Sequence, residues 1–442
     1  MHTETPYFRS FEDLSRHLDE RGFFRIEPGL ERISMALSRF GLENPPFFMA
    51  QVVGTNGKGS TSTFLASIAR AHGLKTGLYT SPHFVSIRER VRINGAMLSE
   101  DEWVALGNEA VSACPDLTYF EFTTAVAVLA FQKAGVDLAV MEAGLGGSWD
   151  ATTAIRSDMN LFAPIDIDHA GVLGTTIHDI ARDKAGAIRE KTPVFTAKQS
   201  PEAEAELRAA SSARHAPFHI TGGMDDLPEA IRNGSARLGI DGSYQGGNAA
   251  LALNAWRYAA ERLHVPANPE AELRGLTTAF IPGRLQFIPA RAQSGLPAML
   301  LDGAHNPHGL AGLGKTLAEQ EIAPCAVIFS CLADKDVSSI IPHLRIMATG
   351  PLFIPPIEDN PRAMNPEDLA RAIGGGAHAV ASLSEALEQA AAVYAERFGT
   401  SGDEALTDAK LHPVLFCGSL YLLGQFFSMY PAYLEQRTFE EV

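Results

Sequence analysis

Disulfide and zinc chemistry have little to work with in this chain. Its 442 residues include four cysteines, Cys114, Cys325, Cys331 and Cys417, scattered without a C-x-x-C pair. That spacing points to a reducing compartment and away from a disulfide framework or a zinc site. Positive charge is short as well. A formal net charge of −16 at pH 7 leaves no basic surplus for a general nucleic-acid binder. Long apolar runs are missing too: the stretch 414–427 comes nearest, and glycines and Ser419 break it before it reaches spanning length. The first residues, MHTETPYFRSFEDL, lack the basic-then-apolar order of a secretion signal. These absences predict a cytoplasmic protein with neither nucleic-acid nor membrane partners.

What is present reads as a globular chain in more than one piece. The composition, 46 % hydrophobic and 20 % charged, is that of ordinary folded domains, and the length exceeds what one core usually holds. Apolar runs and helical patterns alternate, as in a doubly wound α/β sheet. Strands are expected at 136–141, 161–167 and 193–196, and helices at 177–188 and 248–263. Pro282-Gly283-Arg284 and the stretch 290–297 then interrupt the pattern. The predicted division is a first domain over 1–290, a linker over 291–297 and a second, smaller α/β domain over 298–442. In that second domain, strands are expected at 298–301, 326–329, 352–354 and 414–416. Helices are expected there at 309–319, 337–347, 367–372, 382–394 and 420–427, with a loose loop at 399–406.

One motif carries most of the chemical information. Residues 54–60 read Gly54-Thr55-Asn56-Gly57-Lys58-Gly59-Ser60. An apolar run, 47–53, precedes them, and Phe64, Leu65 and Ile68 follow at helical spacing. A glycine loop between a strand and a helix start forms a phosphate cradle. Backbone N–H groups converge on the anion, the helix end adds partial positive charge, and lysine reaches the outer phosphates. The usual pattern places a hydroxyl directly after the lysine, to meet Mg²⁺. Here Gly59 intervenes and the hydroxyl comes at Ser60. A glycine turn with a solvated Lys58 is the plainer alternative, and the strand and helix on either side favour phosphate binding.

Further candidates sit at expected strand ends, where open α/β sheets bind ligands. Glu142 leads into Ala143-Gly144-Leu145-Gly146-Gly147, and Asp168-His169 ends the next strand. Lys184 follows in Asp183-Lys184-Ala185-Gly186. Carboxylate, histidine and phosphate loop together suit Mg²⁺ held against a triphosphate. Taken singly, His169 reads as readily as a structural residue, Lys184 as a solvated helix lysine, and Asn248 as a helix cap.

The ordered series of motifs is more specific than any member of it. The phosphate loop is followed by Ser81-Pro82-His83, Glu89-Arg90-Val91-Arg92-Ile93-Asn94-Gly95, the Glu142 loop, Asp168-His169 with Leu173-Gly174, and Asp183-Lys184-Ala185-Gly186. Then come Pro282-Gly283-Arg284-Leu285, Leu301-Asp302-Gly303-Ala304-His305-Asn306-Pro307 and Ala333-Asp334-Lys335-Asp336. The chain resembles the folylpolyglutamate synthase/dihydrofolate synthase family, a branch of the Mur-type ATP-dependent amide ligases. The likeness runs from Gly29-Leu30-Glu31-Arg32 to Gly418-Ser419-Leu420-Tyr421.

The resemblance implies an α/β fold: a phosphate-loop, Mur-ligase-like domain with a mostly parallel sheet, and a smaller Rossmann-like C-terminal domain. It implies that ATP activates a substrate carboxylate as an acyl phosphate, which the amino group of L-glutamate then attacks. The acceptor would be a folate, or dihydropteroate where both family reactions occur. Lys58 and the loop from Gly54 to Ser60 would hold the phosphates. Ser81, Glu142, His169 and Lys184 would serve two Mg²⁺ positions, Lys184 as a carbamylated lysine. Asn248 would contact adenine, and Arg284, Asp302 and His305 would reach ATP. Replacing Asp302 by alanine should then weaken ATP binding with little effect on folding. Thr118 and Phe120 match the segment that meets the pteroate, although phenylalanine defaults to core.

One departure concerns the acceptor. Many relatives read G-G-R-L-D-A-T-N, whereas this chain has Gly147-Ser148-Trp149-Asp150-Ala151-Thr152-Thr153. Two rivals remain. A ligase acting on a UDP-muramyl peptide would normally carry an additional N-terminal domain, and only about fifty residues precede Gly54, too few for one. A phosphate-loop switch would leave Asp302 and His305 without a role. The expected state is a monomer.

Overall fold

A computed structural model of the chain describes residues 7–22, 27–168, 170–290, 295–333, 335–398 and 409–435. These fall into two compact units. One comprises the residues up to Gly239 together with Gln245–Ala279, and the other Ile240–Tyr244 together with the residues from Phe280 onward.

Strands buried on both faces belong to parallel sheets covered by helices, and the first unit is built that way. Its eight strands, among the described residues, are β1 (Phe48–Val53), β2 (Thr76–Tyr79), β3 (Val91–Ile93), β4 (Ala96–Met97), β5 (Leu138–Glu142), β6 (Met159–Phe162), β7 (Val194–Thr196) and β8 (Phe218–Ile220). They lie in the order β4-β3-β2-β5-β1-β6-β7-β8. Only β3 and β4 run antiparallel to their neighbours. Met49, Tyr79, Ala139 and Met141 share a core with Leu14, Leu37, Trp103, Phe122 and Phe131, from helices N-terminal to β1 and between β4 and β5. Val53 and Phe162 pack with Ile180, Ile188 and Leu207. Because β1 lies between β5 and β6, the strand order reverses at its C-terminal end, the place where such sheets bind ligands. The register sets Val52 beside Glu142 and Val53 beside Phe162.

The second unit repeats the principle with β9 (Gln286–Ile288), β10 (Met299–Leu301), β11 (Ala326–Phe329), β12 (Leu352–Ile354), β13 (Ala377–Ala379) and β14 (Val414–Cys417). Their order is β13-β12-β11-β14-β10-β9, parallel except for β9. The helices Pro307–Glu319, Val337–Met347, Leu383–Phe398 and Leu420–Met429 connect or follow these strands.

Some expected boundaries shift, each for a local reason. The strand expected at 161–167 stops at Phe162. Past it, Pro164 has no N–H for a ladder, and its carbonyl is taken by Thr55 N at 2.9 Å and Asn56 N at 3.2 Å. The helix expected at 177–188 ends at Ala185, followed by Gly186. Residues 240–244 and 280–290, assigned by sequence to the first domain, lie in the second compact unit, where β9 pairs antiparallel with β10. Residues 291–294 of the expected linker, and the expected loop at 399–406, lie outside the described residues. The apolar stretch 414–427 divides into β14 and the following helix. Among the described residues no helix is long and apolar enough to cross a membrane.

Candidate active site

The glycine loop follows β1, and its helix, Lys58–Ala71, starts at Lys58 with Gly57 as the residue before it. Gly59 and Ser60 therefore lie in the first helical turn, whose N–H groups have no partner within the helix. Gly54 (φ +149°) and Gly57 (φ +89°) adopt backbone conformations that side chains resist. A methyl on Gly57 would also stand 2.3 Å from Asn248 Oδ1, so the loop closes directly on Asn248. The helix bearing Asn248 begins three residues earlier, at Gln245. Asn248 is therefore not a cap: it is buried, and its Nδ2 donates to Gln245 Oε1 at 2.9 Å. Thr55 locks the loop to the end of β6, exchanging hydrogen bonds through its hydroxyl with Asp166 O (3.0 Å) and Asp166 N (3.1 Å).

Two lysines meet at this loop. Lys58 Nζ folds back to donate to Gly54 O at 3.1 Å and Thr55 O at 3.2 Å. Lys184, only 4 % exposed, donates to the same Gly54 O at 2.9 Å. Burial, and then the charge of Lys58, depress the Lys184 amine to about 7, against the pull of Asp183, Asp150 and Asp168. At neutral pH a good fraction of it is an uncharged nucleophile.

Glu142 ends β5, is 4 % exposed, and accepts Ser81 N at 2.9 Å. Ser81 itself follows β2, the neighbour of β5. The loop after Ser81 is tied down by Glu89, whose carboxylate takes the amides of Phe84, Val85 and Ser86 at 2.7–2.9 Å. His83 accepts Arg90 Nε through Nδ1 at 2.9 Å, and burial depresses it to about 3, so it stays neutral. His169 lies outside the described residues.

Sequence reasoning passed over the residues that hold Glu142's loop in place. Asp150, fully buried, accepts Gly144 N (2.8 Å), Leu145 N (3.0 Å) and Thr152 N (2.9 Å). Asp183 Oδ2 accepts Gly147 N at 2.9 Å, and Asp183 O accepts both Ser148 N and Ser148 Oγ. The Asp183-Lys184 motif thus docks the glycine loop after Glu142 while aiming Lys184 at Gly54. Beneath it, Asn160 Nδ2 donates to Gln51 Oε1 (2.9 Å), and Gln51 Nε2 to Thr152 and Thr153 Oγ1 (2.9 and 2.7 Å). A polar residue inside the apolar run at 47–53 was the available signal for this network. Ser148 and Thr153 are engaged in it, whereas Trp149 is 61 % exposed.

Thr118 caps the helix Tyr119–Ala134, with Glu121 completing a capping box. Phe120 is half-buried. Its ring lies against Gly144, where a methyl would approach Cε2 to 2.6 Å, and 5.7 Å from the Tyr79 ring.

In the second unit, Asp302 follows β10 and is 2 % exposed. It accepts Leu285 N (3.0 Å), Ala304 N (2.8 Å) and Tyr244 Oη (3.4 Å). Burial raises its carboxyl above the usual range, with Arg284 opposing. Arg284 Nη1 reaches Gly283 O at 3.3 Å, and His305 Nδ1 pairs with Gly303 O at 2.8 Å. With this bonding, loss of the Asp302 carboxylate is expected to cost stability, where the sequence reading expects little effect on folding.

Comparison with known proteins fits this arrangement. Residues 283–403 match the family model of the Mur ligase, glutamate ligase domain. The dihydrofolate synthase/folylpolyglutamate synthase of Bacillus subtilis is 32 % identical over 387 residues, covering 82 % of this chain and 88 % of that protein. The Escherichia coli enzyme of the same name is 32 % identical over 408 residues, covering 90 % of each. Among solved structures, E. coli FolC in complex with DHPP and ADP superposes with a TM-score of 0.81 at 29 % identity, over 97 % of this chain and 99 % of that one. Mycobacterium tuberculosis folylpolyglutamate synthase complexed with ADP gives 0.81 at 28 % identity, over 95 % and 98 %.

A glycine-rich strand-to-helix loop at a sheet's switch point, followed by a unit matching the glutamate ligase domain, fits an ATP-dependent ligase of the Mur type. Within that class, the chain belongs to the folylpolyglutamate synthase/dihydrofolate synthase family.

Proposed function

We propose that this protein uses ATP to join L-glutamate to the carboxylate of a folate-type acceptor, with dihydropteroate as a second acceptor. The observation that carries the reading is the junction of Lys58, Lys184 and Glu142 at the C-terminal ends of β1 and β5, in a chain of this family. The acceptor carboxylate oxygen attacks the γ-phosphorus of ATP, and ADP leaves. The glutamate amine then attacks the acyl carbon and loses a proton, and phosphate departs with the C–O electron pair. Phosphoryl transfer of this kind depends on positioning and charge neutralisation. Lys58 and the amides from Gly54 to Ser60 supply both, and Asn56 Nδ2, buried without a partner, is a donor that a phosphate oxygen satisfies.

Mg²⁺ would be held by Glu142 and Ser81, hard oxygen donors that suit it, together with His169 and a modified Lys184, over two positions. When bound it supplies charge to the transferring phosphoryl group. A carbamate on Lys184 would add a further hard oxygen ligand to those of Glu142 and Ser81. Its neutral amine attacks the carbon of CO₂, an N–C bond forms and a proton leaves. A bicarbonate-dependent mass increase of one carboxyl group, lost in Lys184→Arg, supports that role; its absence at neutral pH removes it.

Asn248 is assigned to adenine, Arg284, Asp302 and His305 to nucleotide, and Thr118 and Phe120 to the acceptor. A cytoplasmic monomer completes the reading. The test is phosphate release from ATP with glutamate plus tetrahydrofolate, dihydropteroate or a muramyl nucleotide. Release with either pteridine is expected; release with the muramyl substrate alone overturns the proposal in favour of the other Mur branch.

A further inference from the structure

The edge of the first sheet opposite the nucleotide loop carries a second cleft. Glu43 and Asn44 precede β1, Arg156 precedes β6 and Arg189 precedes β7, so the parallel strands bring all four to their N-terminal ends. With Ser34 and Leu37 they line a polar cleft of about 410 Å³, within the usual size of small-molecule sites. Strand β1 spans six residues, which sets this cleft roughly 20 Å from Gly54.

Two arginines meet there, neither held in an ion pair among the described residues, although the charge of Arg156 acts on the carboxylate of Asp158 two positions along. Arg189 Nη2 donates to Thr153 O, and Arg156 Nη1 donates to Asn44 Oδ1 at 3.3 Å. These bonds fix each guanidinium and leave most of its N–H groups uncommitted. Glu43 also lines the cleft and accepts Arg156 N through its backbone carbonyl at 3.4 Å, yet among the described residues no ion pair joins its side chain to either arginine. Burial, and then the charge of Arg156, push the Arg189 guanidinium below its usual value. Arginine keeps its proton in proteins, so proton loss cannot relieve the repulsion. A bound anion can, and paired guanidinium forks match phosphate or carboxylate oxygens.

We propose that the cleft between Arg156 and Arg189 is a second anion site, taking a small phosphorylated or multiply carboxylated molecule. It stands independently of the ligase reading, since none of its residues belongs to the nucleotide loop or the Glu142 cluster. Ser34 and Asn44 add neutral donors suited to the remaining anion oxygens, and Glu43 disfavours monoanions that could not outweigh its charge.

The test uses the full chain with the nucleotide loop saturated by Mg²⁺ and a non-hydrolysable ATP analogue. Inorganic phosphate and triglutamate are titrated separately by calorimetry, into wild type and Arg156→Gln. Arg156 is solvent-exposed, so the variant should fold. One further equivalent of either anion should bind wild type, weakening with salt, and about tenfold or more weakly in Arg156→Gln. Which titrant binds identifies phosphate or carboxylate as the natural chemistry. The bound anion should also raise the melting temperature of wild type more than that of Arg156→Gln. No saturable binding of either anion, or equal binding in the variant, overturns the proposal.

Discussion

Lys58 and Lys184 donate to a single carbonyl oxygen, that of Gly54, at 3.1 and 2.9 Å. One lysine belongs to the loop and the other to a helix 126 positions later in the chain. Two ammonium groups on one acceptor repel. The more deeply buried of the pair, Lys184, yields, and its amine sits at about 7. The same contact links loop geometry to the protonation of Lys184.

The first prediction follows from that depression. The folded value, about 7, lies below the ordinary 10.5. Between these limits the unfolded chain holds a proton that the folded chain does not, so stability rises with pH across the window. Below it, both states are protonated and the full cost of burying the charge is present. Lys184→Met should therefore be stabilised most, relative to wild type, below about pH 7, and the advantage should shrink toward pH 10. Urea midpoints in bicarbonate-free buffer measure this. Parallel pH slopes for the two proteins would contradict it.

A second prediction concerns the closure of the loop on Asn248. Gly57→Ala adds a methyl at φ +89°, 2.3 Å from Asn248 Oδ1. Backbone strain alone should cost about 1–3 kcal/mol, with a loss of ATP-analogue binding. Adding Asn248→Ala removes the clash but not the strain. The double variant should thus lose less than the sum of the single losses in stability. Strict additivity would show that the two residues do not meet.

Asp302 gives the third. Alanine there strands the buried amides of Leu285 and Ala304, at about 1–3 kcal/mol for each donor left unmade. The expected outcome is a lowered denaturation midpoint even without nucleotide. Asp302→Asn, which keeps an acceptor oxygen, should recover part of it. An unchanged midpoint in Asp302→Ala would mean that these hydrogen bonds carry no stability.

The loop, its strand and its helix were legible because three local signals coincide: an apolar run, a cluster of glycines around one lysine, and a helical repeat. Strands β11 and β12 and the helix at 337–347 were equally plain, for their residues bury on all sides or pattern strongly. Asp150 was not legible. It occurred inside a segment notable for departing from the family pattern, and an aspartate whose partners are backbone amides leaves no spacing rule in sequence. Lys184 read alone as a surface lysine, because a helix lysine near Asp183 looks solvated. In the fold it is buried against the carbonyl of Gly54, 130 positions away. Residues 286–288 went to the wrong side of the boundary by sequence because Pro282-Gly283 and 290–297 both break the pattern, and only pairing with β10 decides between them.

The central claim is that this loop serves to activate a carboxylate. It is tested most directly by giving the enzyme an acceptor whose carboxylate carries heavy oxygen, with ATP and glutamate. An acyl phosphate passes one carboxylate oxygen to the phosphate released, so mass analysis should find one heavy oxygen in that phosphate. Phosphate free of label, alongside normal amide formation, would contradict the account.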